Sequence, residues 1–142
     1  MSSTRDRIFV DSNVLIYAHD LDAGDRHVRA VTIVRNLWEE GNGVVSTQVL
    51  QEFYVNVTRK IPHALEKSLV RELVRNYSSW QTEIIDGADI FRASELEESS
   101  RVSFWDALIV AAAAKSGASL LLSEDLNAGQ TIGGVTVDNP FA

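Results

Sequence analysis

Four acidic residues of this chain stand where an apolar run ends or is interrupted; they are Asp11, Glu52, Asp106 and Asp125. Asp11 closes the run Ile8–Val10, and Asp106 is the only ionisable residue between positions 102 and 114. A carboxylate on a largely buried element needs a compensating charge, because burial removes its hydration. No cationic residue stands beside Asp106 in the sequence, and a bound metal ion is the simplest remedy.

The predicted order of strands and helices brings these acids to one edge of a sheet. Asp11 and Asp125 follow the first and the fourth predicted strands, whereas Glu52 lies early in the helix after the second strand. Asp106 falls in the first turn of another helix. Ligands of open parallel sheets bind outside the carboxyl ends of the strands, where the strand order reverses. We therefore expect the four carboxylates to converge at this edge.

Four converging carboxylates favour a hard divalent cation. Two carboxylates about 6 Å apart repel each other by roughly 3 kcal/mol at an effective dielectric constant of about 20. Some of them must therefore take up protons, or a cation must enter. An all-oxygen site with room for water suits Mg²⁺ or Mn²⁺. Such an ion can polarise a phosphodiester and activate water, so metal-assisted phosphodiester hydrolysis is the reaction class that the acids indicate.

Taken singly, these acids also have structural interpretations. Asp11 can cap the helix that follows it, Glu52 can be a solvated helix residue, and Asp125 can be a loop acid. Asp106 has the weakest structural explanation, because its neighbours are apolar. The functional interpretation rests on the conjunction of the four.

Strands alternate with helices along the chain, which predicts an α/β fold with a five-stranded, mainly parallel sheet covered on both faces. We expect Ser12 and Thr47 to cap helices, and Pro62 to begin a helix that turns Leu65, Leu69 and Leu73 inward. The strands are predicted at 7–10, 44–45, 82–85, 119–122 and 135–137, and the helices at 13–18, 25–40, 47–59, 62–77, 88–99 and 104–116.

Composition narrows the class of protein. The 142 residues, 45% of them hydrophobic, predict a single domain over residues 1–142. The net charge of −7 argues against a broad footprint for duplex DNA, and the absence of cysteine excludes disulfides and zinc-thiolate sites. Local positive charge falls on one helix face at Lys67, Arg71 and Arg75, and at the pair Arg26 and Arg29. Either group suits a solvated face or an RNA contact.

The chain has no sequence signal for membrane insertion. The segment 1–7 lacks the apolar core of a signal peptide. The longest purely apolar stretch, 107–114, is far shorter than the approximately 20 residues that cross a bilayer. A cytoplasmic protein without a membrane partner is the default expectation.

Four segments of the chain resemble the PIN-domain nuclease family, and more closely its VapC-like toxin branch. The segments span most of the chain in a fixed order, which makes the resemblance specific; they are Phe9–Ala18, Thr47–Phe53, Ser103–Ile109 and Leu121–Leu126. The ending Asn139–Phe141 also looks like this branch.

The resemblance implies a three-layer α/β/α fold and a Mg²⁺- or Mn²⁺-dependent endoribonuclease, often a homodimer, that a cognate antitoxin protein holds inactive. Asp11, Glu52, Asp106 and Asp125 fall on the family's acidic, metal-binding positions. Supporting polar positions of the family fall on Asn13 and Ser123. Glu124 is an alternative to Asp125 as the fourth ligand, and the Ser-x-Asp spacing favours Asp125.

Two other classes of protein also fit part of the pattern. A catalytically silent module that keeps the fold, and binds a protein or RNA, would show no metal dependence. A phosphotransfer receiver or phosphatase would also gather acids at a sheet edge, but it needs a lysine or a nucleophilic aspartate motif there, and Lys60 and Lys115 are only weak counterparts.

Overall fold

The computed structural model describes residues 6–142, so the start of the predicted domain and most of the N-terminal segment 1–7 lie outside the described residues. The helices are α1 Ser12–His19, α2 Asp25–Glu40, α3 Thr47–Arg59, α4 Lys67–Tyr77, α5 Gly87–Ser100 and α6 Phe104–Ser116. The strands are β1 Ile8–Val10, β2 Gly43–Ser46, β3 Gln81–Glu83, β4 Leu120–Leu122, β5 Thr131–Ile132 and β6 Val135–Asp138.

One sheet contains these six strands in the order β3-β2-β1-β4-β6-β5. All neighbouring pairs are parallel except β5 and β6, so the predicted mainly parallel sheet is confirmed. The prediction of five strands is wrong, because β5 lies in the glycine-rich segment that the sequence indicates as a loop. Gly133 and Gly134 have φ angles of 58° and 86°, and this two-residue turn reverses the chain into β6.

Helices flank the sheet in two groups. Helix α1 packs on α2 and α3, and α4 packs on α3, whereas α5 packs on α6. Helix α6 contacts four strands, and its residues 107–113 are all buried, as its uniformly apolar sequence predicts. No helix within residues 6–142 is long and apolar enough to span a membrane.

Two predicted helix caps are displaced by one residue. Ser46, not Thr47, caps α3, since the Val49 amide donates to the Ser46 hydroxyl over 3.3 Å. The Thr47 hydroxyl instead accepts from the Ile85 amide over 3.2 Å and ties α3 to the segment after β3. Likewise Asp11, not Ser12, is the cap of α1. Both true caps directly follow or end a strand, where the backbone is still extended.

Helix α4 begins at Lys67, so the predicted start at Pro62 is wrong. The preceding loop is held by a backbone hydrogen bond from Leu65 to the Val57 carbonyl over 2.8 Å, which is incompatible with a helix through Leu65. The buried residues of α4 are Val70 and Tyr77, while Leu69 is 49% exposed. Leu65 and Leu73 are partly buried and pack against the core, as predicted, so among the three leucines only Leu69 departs from the prediction.

Candidate active site

All four acidic residues singled out from the sequence line one cleft of about 480 Å³. The cleft opens at the carboxyl ends of the central strands β1 and β4, where the chain winds from β1 towards β2 on one side and from β4 towards β6 on the other. This is the switch point at which parallel sheets bind ligands. A larger cavity of about 830 Å³ elsewhere has an apolar lining with a single carboxylate, so volume alone does not identify the site.

Asp11 is the most deeply buried of the four, with 3% of its surface exposed. The Ser12 amide donates to its Oδ1 over 2.7 Å, and the Ser123 hydroxyl donates to its Oδ2 over 2.7 Å. Burial, helped by the nearby charges of Asp125 and Glu52, raises the pKa of Asp11 to about 7 against the two hydrogen bonds, which lower it. Asp11 thus caps α1 and also lines the cleft.

Glu52 lies on the face of α3 that forms a wall of the cleft. The Ser12 hydroxyl donates to Glu52 Oε1 over 3.0 Å, and Gln48 Nε2 donates to Glu52 Oε2 over 3.3 Å. Gln48 Nε2 also donates to the Trp105 carbonyl over 3.2 Å, which links α3 to the start of α6. The sequence reasoning missed Gln48, although a buried glutamine one helical turn before a site acid is a usable signal.

Asp106 occupies the first turn of α6, as predicted, and its backbone amide donates to the Ser103 hydroxyl over 3.1 Å. Burial raises the pKa of Asp106, and the neighbouring charge of Asp125 adds to the rise against the hydrogen bond from Ser103. The N-terminus of a helix favours an anion, yet this carboxyl still holds its proton more tightly than usual.

Asp125 and Glu124 are adjacent in sequence but differ in their partners. Asn13 Nδ2 donates to Asp125 Oδ2 over 3.2 Å, and the Asp125 amide donates to the Ser123 hydroxyl over 3.1 Å. Glu124 instead accepts from Tyr17 over 2.5 Å and from Arg26 over 2.6 Å. These bonds outweigh its partial burial and lower the pKa of Glu124. Glu124 is thus neutralised outside the cleft, whereas Asp125 lines it.

The cleft contains little compensating positive charge. Lys60, just past the end of α3, is the cationic residue that lines it. Lys115, the other lysine considered for a phosphotransfer site, pairs with Asp89 over 3.0 Å at the far end of α6. Of the basic residues noted in the sequence, Arg26 is engaged by Glu124 and Arg75 lies 3.5 Å from Glu72.

The chemistry of the cleft fits a hard divalent cation, although its geometry is not that of a preformed ion cage. Carboxylate oxygens are the ligands that Mg²⁺ and Mn²⁺ prefer. The buried Gln48 Oε1 beside them has no hydrogen-bond partner within the described residues. Across residues 6–142, no three Asp, Glu or His side chains are arranged to hold one ion. The carboxylates would therefore have to close in on an ion.

Comparison with known proteins identifies the fold. A family model described as "PIN domain" matches residues 8–131. No curated protein sequence matches the chain.

Solved structures resemble the chain over most of its length. A toxin-antitoxin complex from Klebsiella pneumoniae superposes with a TM-score of 0.68 at 20% identity, covering 96% of this chain and 98% of that chain. The Mycobacterium tuberculosis toxin VapC20, described as Sarcin-Ricin loop cleaving, gives a TM-score of 0.61 at 22% identity over 80% and 86% of the two chains. DNA-bound VapBC from Salmonella typhimurium gives 0.65 at 16% identity over 96% and 99%. At these identities the likeness establishes the shared fold.

Proposed function

Because the chain belongs to the PIN domain family, we propose that it is a metal-dependent endoribonuclease that hydrolyses RNA phosphodiester bonds, and that it acts as the toxin of a toxin-antitoxin pair. The observation that carries this proposal is the single cleft lined by Asp11, Glu52, Asp106 and Asp125 with one lysine beside them. Structural acids in a folded protein are normally paired with cations. This group therefore favours a positively charged guest.

The four carboxylates are the proposed ligands of Mg²⁺ or Mn²⁺. When bound, such an ion polarises the phosphoryl oxygen and lowers the pKa of a water molecule. The chain's own residues orient the carboxylate oxygens towards the cleft. Ser12, Gln48 and Ser123 donate to Asp11 and Glu52 through neutral groups, which fixes the oxygens without cancelling their charge.

The proposed partners follow from the relatives. The structures of similar fold include toxin-antitoxin complexes. We propose that a cognate antitoxin places a basic side chain in the acidic cleft and that the toxin forms a homodimer. The single domain over residues 1–142 and the cytoplasmic location stay predictions. Co-purification with the product of the neighbouring reading frame tests the antitoxin, and sedimentation tests the dimer.

A catalytically silent module of the same fold is the second candidate. It is favoured by one observation, namely that no three carboxylates within the described chain are arranged around a common point. Such a module would bind RNA or protein equally well with and without divalent ions.

The test compares RNA cleavage by the purified protein in Mg²⁺, in Mn²⁺ and in EDTA. We expect cleavage of single-stranded or loop RNA with either ion and none in EDTA. The variant Asp106→Asn should fold normally and lose most activity, because it removes a ligand while relieving repulsion from Asp125. Glu98→Gln, an equal change of charge on the exposed surface of α5, is the control and should cut like the parent. Full cleavage in EDTA would refute the proposal.

A further inference from the structure

Helix α3 forms one wall of the acidic cleft along almost its whole length. Its cleft-lining residues recur at helical spacing on one face and continue to the cap that follows it; they are Gln48, Gln51, Glu52, Val55, Asn56 and Lys60. The first and the last are twelve positions apart, which corresponds to about 18 Å along a helix. The cleft is thus elongated, and Glu52 lies near its Gln48 end.

An exposed tryptophan stands at that end. Trp105 lines the same cleft, precedes Asp106, and is 63% exposed. Gln48 Nε2 donates to the Trp105 backbone carbonyl over 3.2 Å, which anchors the main chain, and the Phe104 ring packs edge-on against the indole with centroids 5.3 Å apart. A large aromatic ring is therefore held at the mouth of the cleft, next to the acids, with most of its surface uncovered.

The charge of the cleft restricts what this ring can bind. The chain has a net charge of −7, and carboxylates in the cleft repel a polyanion. A nucleobase is neutral and stacks on an aromatic ring regardless of sequence, whereas a phosphate needs a cation. Trp105, which lies beside the N-terminal end of α3, can stack on a nucleobase. Lys60, at the C-terminal end of α3, can bind a phosphate.

Resting on the proposed ribonuclease function, we propose that single-stranded RNA lies along α3, with a base stacked on Trp105 beside the acids and a phosphate bound by Lys60 at the far end. Each of the two residues contributes a different part of the binding. Stacking supplies affinity that does not depend on salt, and Lys60 sets the direction and extent of the strand.

The experiment measures RNA affinity without cleavage. The Asp11→Asn background serves this purpose, because Asp11 is buried and its loss should stop cutting without removing an exposed RNA contact. In Mg²⁺, we follow the fluorescence anisotropy of a labelled single-stranded RNA. Trp105→Leu should weaken binding about fivefold or more, since stacking is worth roughly 1–3 kcal/mol per base. Trp105→Phe should retain part of the affinity.

Matched controls separate stacking from general damage. Phe91→Leu removes an aromatic ring of similar exposure (69%) on α5, outside the cleft, and should leave the affinity unchanged. A set of RNAs, each with one abasic nucleotide at a different position, is then compared with the intact RNA. For the protein that keeps Trp105, one position of the abasic nucleotide should weaken binding. For Trp105→Leu, the same RNA should bind as well as the intact RNA. An equal loss with both proteins at every position would overturn the stacking contact.

Salt dependence tests Lys60 separately. Lys60→Met should reduce the slope of log affinity against log salt by about 0.7, the value for one phosphate on a single strand. Trp105→Leu should lower the affinity by the same factor at each salt concentration. A slope unchanged by Lys60→Met would overturn the phosphate contact.

The outcomes for this contact and for the nuclease are distinguishable. RNA that binds with these dependences but is not cut by the parent protein would support the contact and contradict the nuclease. Cutting in Mg²⁺ with an affinity unaffected by Trp105→Leu would support the nuclease and contradict the contact. Absence of any RNA binding by the Asp11→Asn protein would overturn the contact.

Discussion

Acidic residues lie near both ends of helix α6, and their pKa values are shifted in opposite directions. At its C-terminal end, Lys115 donates to Asp89 over 3.0 Å. Asp89 is buried, which by itself raises its pKa, but the Asp86 amide and Lys115 reverse the sign and the pKa lies below its ordinary value. At the N-terminal end, the pKa values of Asp106 and of the nearby Asp11 are raised.

Burial opposes the charge of both Asp11 and Asp89, and only Asp89 has partners that reverse its effect. Asp89 receives a charged donor and completes a capping box with Asp86 at the start of α5, so its charge contributes to folding. Asp11 receives only hydroxyl and amide donors. A cationic side chain thus pairs with the structural acid Asp89, whereas within residues 6–142 none pairs with Asp11 in the cleft. Negative charge left uncompensated by folding is available for a ligand.

The variant Asp11→Asn tests this difference between structural and cleft acids most strongly. Asparagine keeps the shape and can still accept from the Ser12 amide, while its Nδ2 takes the place of Oδ2 and donates to the Ser123 hydroxyl; it removes the charge of the deepest carboxyl. Changing residues that merely support a metal ligand costs about 10- to 100-fold, so we expect RNA cleavage to fall by about 100-fold or more. The free energy of unfolding should not drop by more than about 1 kcal/mol, because the lost charge was repelled by its neighbours.

Both readouts of Asp11→Asn are needed. Cleavage rates at matched Mg²⁺ concentrations measure the first effect, and urea unfolding measures the second. A protein that unfolds readily yet retains cleavage per folded molecule would place Asp11 with Asp89, as a structural acid. The comparison between the two ends of α6 would then fail.

The adjacent residues Glu124 and Asp125 repeat the comparison within one loop. Glu124 is held by Tyr17 and Arg26, whereas Asp125 receives the Asn13 amide and lines the cleft. We expect Asp125→Asn to slow cleavage about 10-fold or more, and Glu124→Gln to change it by less than about twofold. Steady-state cleavage of one RNA by the two variants measures this. A larger loss in Glu124→Gln would reverse the assignment of the fourth ligand.

How far sequence predicts this site depends on the kind of interaction. Strand ends carry Asp11 and Asp125 to the switch point, and this follows from alternation of strands and helices. The Gln48 bridge to Trp105 joins residues 57 positions apart in the chain, so it depends on how α3 and α6 meet in space. Local pattern holds no information on that contact. The neutral donors around the acids were recognisable only as family positions, at Asn13 and Ser123.

The errors in the fold have the same origin. Thr47 has the right side chain for a cap, but a tertiary bond to Ile85 uses its hydroxyl. Pro62 can begin a helix, yet the bond from Leu65 to Val57 holds the chain in a loop. The two-residue strand β5 forms only because it pairs with β6. In each case a contact with another segment of the chain overrides a local preference.

The smallest expected effect concerns the structural end of α6. Asp89→Ala removes the reciprocal bond to Asp86 and the pair with Lys115, and we expect it to lower the free energy of unfolding by about 1–2 kcal/mol at pH 7. Glu98→Ala, on the exposed side of α5, the helix that carries Asp89, is the matched control. Because folding depresses the pKa of Asp89, its contribution is present above the unfolded value near 3.8 and is lost as pH falls through the folded value. The gap between parent and variant in urea unfolding should therefore persist from pH 7 to pH 5 and narrow below pH 4. A gap that stays constant down to pH 3 would mean that Asp89 stabilises α5 through packing rather than charge, and the contrast with Asp106 would lose its electrostatic basis.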